Sequence, residues 1–461
     1  MTYPKINNIF SDSNRRGANF VSLSLFLISL AYVCLFLFDE DIAKNISVAL
    51  LFLGFVSFFF LKRSYWLNAP LVLMVLSIIW VTSVWLVVSA EFPENARSGP
   101  AVEDYIDKFL FIFIGIGLAG SKSREVFFVS VAASVIVFMP WISGSGFSDL
   151  MEALDGVRQG FGLSPIRSGM LAAFVFILSS VFLVRAAFSV TVKWPVVIAW
   201  AGLMFWALLL IIFSQTRAVF VSIFIMFTFG FIFMATKRRI NAIQLRRVAL
   251  IVLALTALLV SFSFISGASD RNIDRMGQDL TVVSDLFTED LEDLPQSSWG
   301  VRAIMLRYGI GRFVERPFWG WGYRSSNELL EKAHDDKILD QEFSQFHNSY
   351  LEILVEYGIF GLLILVLLFS YLLVSLSGSI KNSSGKNEMP IAIFLFLSFM
   401  GIFSFFDGIL VQESSGPFIF NVAAGVALSI IFRSKLSEAA GSSQIDSDCG
   451  RERLSPTRNP H

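Results

Sequence analysis

The sequence predicts an all-α, polytopic membrane protein of about twelve transmembrane helices with one large outer loop, and three observations carry that reading. Apolar runs of 18 or more residues recur along the chain. Only 16% of the 461 residues are charged and 55% are hydrophobic, whereas a soluble domain carries about 25% charged residues. Lys and Arg collect in every second connection between the runs, and the intervening connections are acidic. A β-barrel would show short segments of alternating hydrophobicity instead.

Residues 1–19 are polar and carry Lys5, Arg15 and Arg16. The first apolar run, 20–38, is too long for a signal-peptide core and lacks a small-residue cleavage site, so it reads as a retained span. Further runs near the bilayer-crossing length of about 20 residues lie at 46–61, 69–89, 105–120, 125–142, 168–188, 195–213, 218–235 and 248–266. A polar excursion at 267–348 interrupts the series, and runs at 349–377, 389–407 and 416–432 complete it. The expected organisation is a terminal segment 1–19, nine spans within 20–266, the loop 267–348, three spans within 349–435, and a tail 436–461. The tail is Ser-, Gly- and charge-rich, the composition of a disordered segment.

The charge alternation orients the series. Arg15/Arg16, Lys62/Arg63, Lys122/Arg124, Arg185/Lys193, Lys237 to Arg239, Lys381/Lys386 and Arg433/Lys435 fall on one side. Asp39 to Asp41, Glu91, Glu94, Glu103, Asp104, Asp149, Glu152, Asp155, Asp407 and Glu413 fall on the other. Both termini are therefore expected in the cytoplasm and the long loop outside. The loop divides into an acidic stretch, 268–298, and a segment 301–316 with Val301, Ile304, Met305, Tyr308 and Phe313 near helical spacing and Arg302, Arg312 and Arg316 between them. That pattern predicts a helix lying in the membrane interface. Pro317 ends it, and Phe318, Trp319 and Trp321 follow among turn glycines.

Against this orientation, Lys108, Arg158, Arg167 and Arg217 sit near span ends on the acidic side, with Arg302 beside them in the loop. Any one of them can snorkel or pair with a carboxylate. Several converging on one face suit an anion, because guanidinium forks match phosphate oxygens in geometry and charge. Arg217 and Arg302 are expected to approach each other there. His347 precedes Ser349-Tyr-Leu-Glu352, which reads as a capping box opening a membrane helix. A histidine at that positive helix end is disfavoured as imidazolium and suited to accepting a proton; an interfacial histidine bound to a loop carbonyl is the equal alternative. Glu356 lies one turn beyond Glu352, and as a buried carboxylate it is expected to pair with an arginine. His334 lies among Lys332, Asp335, Asp336 and Lys337 and reads as solvated.

Two motifs carry no chemistry. Gly115-Ile-Gly117-Leu-Ala-Gly120 matches GxGxxG but lies inside an apolar helix without a βαβ unit, which indicates close helix packing. No HExxH-type motif exists, and the two cysteines, Cys34 and Cys449, supply neither a disulfide framework nor a thiolate site, so no metal is indicated.

The string RPFWGWG, Arg316 to Gly322, followed by HNSYLEILVEYGIFGLL from His347, resembles the signature of the O-antigen ligase and O-antigen polymerase family of bacterial inner membranes. The family's Arg before the Pro-x-x-Gly-x-Gly turn corresponds to Arg302. Its His-Asn-x-x-Leu-x-x-Leu-x-Glu string corresponds to His347 through Glu356, and its earlier Ser-x-(Ser/Thr)-Arg to Ser214 through Arg217. The segment around Arg158, Pro165 and Arg167 resembles the family's loop before its middle spans.

The resemblance implies a metal-independent glycosyltransferase without cofactor, in the bacterial inner membrane, acting at the periplasmic face in lipopolysaccharide biosynthesis. Its donor would be an undecaprenyl-pyrophosphate-linked glycan. Its acceptor would be lipid A-core sugar in a ligase, or another lipid-linked repeat unit in a polysaccharide polymerase. Arg217 and Arg302, with Lys108, Arg158 and Arg167, would hold the pyrophosphate, His347 would act as base, and Glu356 would support them. Besides the bilayer and these lipid-linked glycans it implies no partner, and no nucleic acid. A transporter of lipid-linked oligosaccharide remains a different reading, one that should show two similar halves with interrupted helices at matching positions.

Overall fold

The computed structural model describes residues 15–60, 68–93, 97–118, 120–187, 189, 191–237, 298–382, 388–411 and 415–452. Among the described residues every regular element is helical. Six helices among the described residues are long and apolar enough to cross a bilayer: Gly17–Leu35, Ala69–Glu91, Pro165–Ala187, Trp194–Ser214, Ser349–Lys381 and Ser415–Leu436. Arg217–Gly230 and Glu388–Phe403 are shorter apolar helices. The described part of the chain is thus all-helical and multi-pass in character. The run expected at 248–266 and the acidic stretch up to residue 297 lie outside the described residues.

α1 (Arg15–Leu35), α2 (Glu40–Ser57) and α3 (Ala69–Glu91) open the chain. The starts of α2 and α3 follow capping chemistry. Asp39 accepts from the amides of Asp41 and Ile42, and Asn68 accepts from Leu71, with Pro70 in the first turn where its missing N–H costs nothing. Phe52 and Phe59 are 73% and 83% exposed, apolar surface of the kind that lipid covers.

The run expected as one span at 105–120 is broken in two. α4 (Val102–Ile106) leads through a 3₁₀ turn (Asp107–Phe109) into α5 (Phe111–Leu118), all of which is buried. The break exposes backbone groups that lipid cannot satisfy. Asn421, buried in α16 (Ser415–Glu452), closes it: its amide donates to the Asp107 carbonyl (2.6 Å) and its oxygen accepts from the Phe111 N–H (3.0 Å). The glycines of the GxGxxG string let α5 approach both neighbours. A methyl at Gly115 would meet Leu428 of α16 at 3.0 Å, and one at Gly117 the Phe26 amide of α1 at 2.9 Å. α16 itself runs past the expected end of the last span into the stretch read from composition as disordered.

α6 (Lys122–Val137), α7 (Met139–Ile142) and α8 (Phe147–Leu154) lead to α9 (Pro165–Ala187), which α10 (Trp194–Ser214) flanks, and α11 (Arg217–Lys237) follows after a two-residue turn. Beyond residue 297 come α12 (Ser298–Glu315), α13 (Ser325–Asp335), α14 (Ser349–Asn382) and α15 (Glu388–Phe403). The expected interfacial helix is α12, but its predicted apolar face does not lie on lipid. Ile304, Met305 and Tyr308 are buried in a small core with Leu329 and Leu330 of α13 and Leu351 and Val355 of α14. The face left outward carries Leu306, Ile310 and Val314, at i, i+4 and i+8.

Candidate functional site

α14 is two helices. At Gly358 the backbone takes φ 65° and ψ −168°, a conformation only glycine adopts readily, and the helix breaks. The carbonyls of Val355, Glu356 and Tyr357 lose their helical partners there. They accept instead from the Trp321 amide (2.8 Å), the Gly322 amide (2.9 Å) and the Trp80 indole (2.9 Å), while the Ile359 amide donates to Pro317 (2.9 Å). The turn Pro317–Gly322 is therefore the plug of the broken helix. Its glycines admit the close approach: a methyl at Gly320 would meet the Glu356 and Val355 carbonyls at 2.6 Å. Trp319 stacks on Trp80 at 5.0 Å and 8°.

The first half of α14 carries His347 at its mouth. The capping residue is Asn348, one position earlier than the expected Ser349: its side chain accepts from Tyr350 (3.0 Å) and Leu351 (3.1 Å). Glu352 reaches back to the Phe346 amide (2.9 Å), and Ser349 is spent on the Asp407 carbonyl (2.8 Å). Asn348 takes the cap because its side-chain oxygen meets the first free N–H groups while the buried Ser349 is drawn toward the segment after α15. His347 has φ 50°, an uncommon left-handed conformation. Its Nδ1, buried and without a hydrogen bond, stands 3.7 Å from Asp407 Oδ1. The Asp407 side chain is 2% exposed and takes the Gly408 amide at 2.8 Å. The histidine ring meets Phe343 edge-on and keeps 23% of its side chain open. Asp407 had no distinguishing mark in the sequence beyond being an acid in the apolar setting Phe406-Asp407-Gly408.

The cations fall into two groups. Arg158 donates to the Ser214 carbonyl (3.0 Å), Gln215 binds the Gly156 carbonyl (2.9 Å), and Thr216 donates to Pro165 (3.2 Å), so the turn before Arg217 is laced to the 156–167 loop. Burial, and then the positive charge of Arg302, pushes the Arg158 guanidinium below its ordinary value. Arg302 on α12 thus joins the loops through Arg158, and Arg217 stands exposed at the start of α11. Arg167 pairs with Glu40 at 3.6 Å. Lys108 stands apart from these, at the break before α5, over the Tyr105 ring (4.5 Å) and within electrostatic reach of Glu356. The two helix breaks face one another there, with Tyr105 edge-on to Tyr357 at 4.8 Å.

Glu356 does not take the arginine side chain expected of it. Its carboxylate accepts from Ser326 (3.0 Å) and from the Arg324 backbone, with Lys108 as the nearby cation. The plug turn delivers α13 to that spot. His334 is not freely solvated: it is half-buried and its Nδ1 lies 2.9 Å from the Leu339 carbonyl, fastening the end of α13. Among the described residues no cluster of three or more His, Cys, Asp or Glu could hold a metal ion.

No curated protein sequence matches the chain. The sequence model of the family described as O-Antigen ligase matches residues 202–366. That stretch contains the turn at 214–216, Arg217, Arg302, the Pro317–Gly322 plug, His347 and the break of α14 at Gly358. Over residues 202–366 the chain carries an O-antigen ligase family segment, as its motifs indicate.

Proposed function

We propose that the protein is a membrane-embedded glycosyltransferase of the O-antigen ligase type, with about twelve spans, in the bacterial inner membrane. It moves a glycan from an undecaprenyl-pyrophosphate donor to an acceptor sugar hydroxyl at the periplasmic face. The observation that carries this reading is the placement of His347 against the buried Asp407, on the small core it shares with the Arg302 helix. Asp407 would accept from Nδ1–H and fix the tautomer that leaves Nε2 free to take a proton. Nε2 would receive the acceptor's hydroxyl proton as that oxygen bonds to the donor's anomeric carbon. The anomeric carbon–phosphate oxygen bond breaks, and its electron pair leaves on the pyrophosphate. Arg158, Arg217 and Arg302, with Arg167 beside them, would stabilise that developing charge. Lys108 and Glu356 belong to the facing helix breaks, where they would hold the scaffold of the site.

Discontinuous helices also occur in transporters. Here both breaks are closed by fixed partners, Asn421 at one and the plug turn at the other, which favours a standing site. The test is transfer by the purified protein on lipid-linked donor. His347→Ala should lose the about 10²–10⁴-fold contribution of a general base while still binding donor, and His334→Ala should transfer normally. Turnover by His347→Ala at the unaltered rate across pH 6–9 would overturn the assignment. A deletion strain that accumulates long lipid-linked polymer indicates a ligase, and one that accumulates single repeat units a polymerase.

A further inference from the structure

A cavity of about 130 Å³ opens between the end of α3, the 97–101 loop and the start of α13. Its walls include the rings of Trp85, Trp321, Tyr323 and Tyr357, and Arg97 and Lys332 stand at it as cations. Tyr323 is flanked by guanidinium groups, Arg97 at 5.0 Å and Arg324 at 5.1 Å from its ring. The indoles are fixed rather than loose: Trp85 donates to the Arg97 carbonyl (2.9 Å) and Trp321 to the Arg312 carbonyl (2.8 Å). Flat apolar rings held in place beside charged hydrogen-bonding groups match a pyranose, which has an apolar face and a rim of hydroxyls. The volume holds several waters, well below the roughly 300 Å³ of a whole-ligand pocket, so it fits one ring of a chain.

The position selects which chain. Tyr357 is the last residue before the break, so the half-helix from Ser349 puts the cavity about 12 Å from the His347 mouth at 1.5 Å per residue. Trp321 is tied to Arg312, about 15 Å along α12 from Arg302 by the same rise. The cavity therefore lies at the far end of α12 and at the break in α14, remote from the pyrophosphate arginines. We infer that it is a subsite for a sugar ring of the acceptor glycan, a few units away from the hydroxyl that reacts. This rests on the proposed transfer reaction.

The experiment titrates the full-length protein in detergent with two delipidated oligosaccharides from the host, one from lipid A-core and one from the donor repeat unit. Trp85 and Trp321, two of the ten tryptophans, line the cavity, so the part of the indole quenching that is lost in Trp85→Phe reads its occupancy. The core oligosaccharide should quench indole fluorescence, about tenfold more weakly in Tyr323→Ala and in the surface variant Lys332→Ala, each with an unaltered far-ultraviolet spectrum. Quenching unchanged in Lys332→Ala, or by neither oligosaccharide, overturns the proposal, and so does quenching by the repeat unit alone where the deletion strain accumulates long polymer, since a ligase meets that unit only as donor. The two readings fail separately. Absence of transfer by the unaltered protein with intact core binding removes the reaction and keeps the sugar site, whereas normal transfer without quenching removes the site and keeps the reaction.

Discussion

Asp407 and His347 come from segments sixty residues apart and meet at the mouth of a helix. The pairing explains why a histidine accepts a strained left-handed backbone: φ 50° turns the ring toward a carboxylate that is almost wholly buried. It also makes Asp407 separable from the loop around it, because Ser349 is held by the Asp407 carbonyl rather than by its carboxylate. Asp407→Asn should therefore keep the cap and the Gly408 contact while losing the anion behind Nδ1. Its kcat should fall by about tenfold or more, part of the general-base contribution, with the donor KM unchanged; a matched rise in KM at constant kcat would mark a purely structural residue. At the proposed anion site, Arg217 is exposed at the start of α11 and Arg158 bears the field of Arg302. Like charges crowded in this way are relieved by a bound anion. Arg217→Lys should lose most transfer, since an ammonium cannot reproduce the bidentate fork, and initial rates on lipid-linked donor decide it.

Among the elements, α14 shows what the sequence could and could not say. Its apolar run announces a span, and RPFWGWG announces a turn, yet neither alone says that the turn plugs the span. That relation depends on a glycine whose reason is tertiary: at Gly358 any side chain would collide with the Phe318 carbonyl. The same holds for the break before α5, legible only once Asn421 is seen bonding both of its edges. Helix 301–316 was legible by period, but not its partner. Periodicity identifies an apolar face without saying whether lipid or protein covers it, and here α13 and the start of α14 cover it. The cap slipped by one residue because Asn348 and Ser349 are both good capping types and the choice depends on the distant Asp407 carbonyl. Gly358→Ala must distort the plug and the ε-region backbone together, a cost of about 1–3 kcal/mol from the backbone alone. Thermal unfolding in detergent should show a lowered midpoint, and an unchanged midpoint would mean that the turn is not seated on the break.

At the scale of the whole molecule, helical class and multi-pass character were legible because apolar run length and charge content are properties of the chain itself. Sidedness is a different matter. It rests on the alternation of Lys/Arg with acidic connections, and every proposed site residue depends on it. For the proposed reaction Arg158, Arg217, Arg302 and His347 must face the same compartment, and a reversed chain would present them to the cytoplasm instead of the proposed periplasmic site. The described residues offer two exposed reporters on opposite sides of this scheme: Asn327 on α13, in the proposed outer loop, and Lys381 at the far end of α14. With Cys34 and Cys449 replaced by Ala, Asn327→Cys should react with a membrane-impermeant maleimide in intact spheroplasts. Lys381→Cys should react only after the membrane is opened. The distance between the two supports the contrast, since the half of α14 beyond Gly358 runs from residue 359 to 381, about 33 Å at helical rise and enough to cross the hydrocarbon. Labelling of Lys381→Cys alone in intact cells would invert the topology and remove the periplasmic site with it.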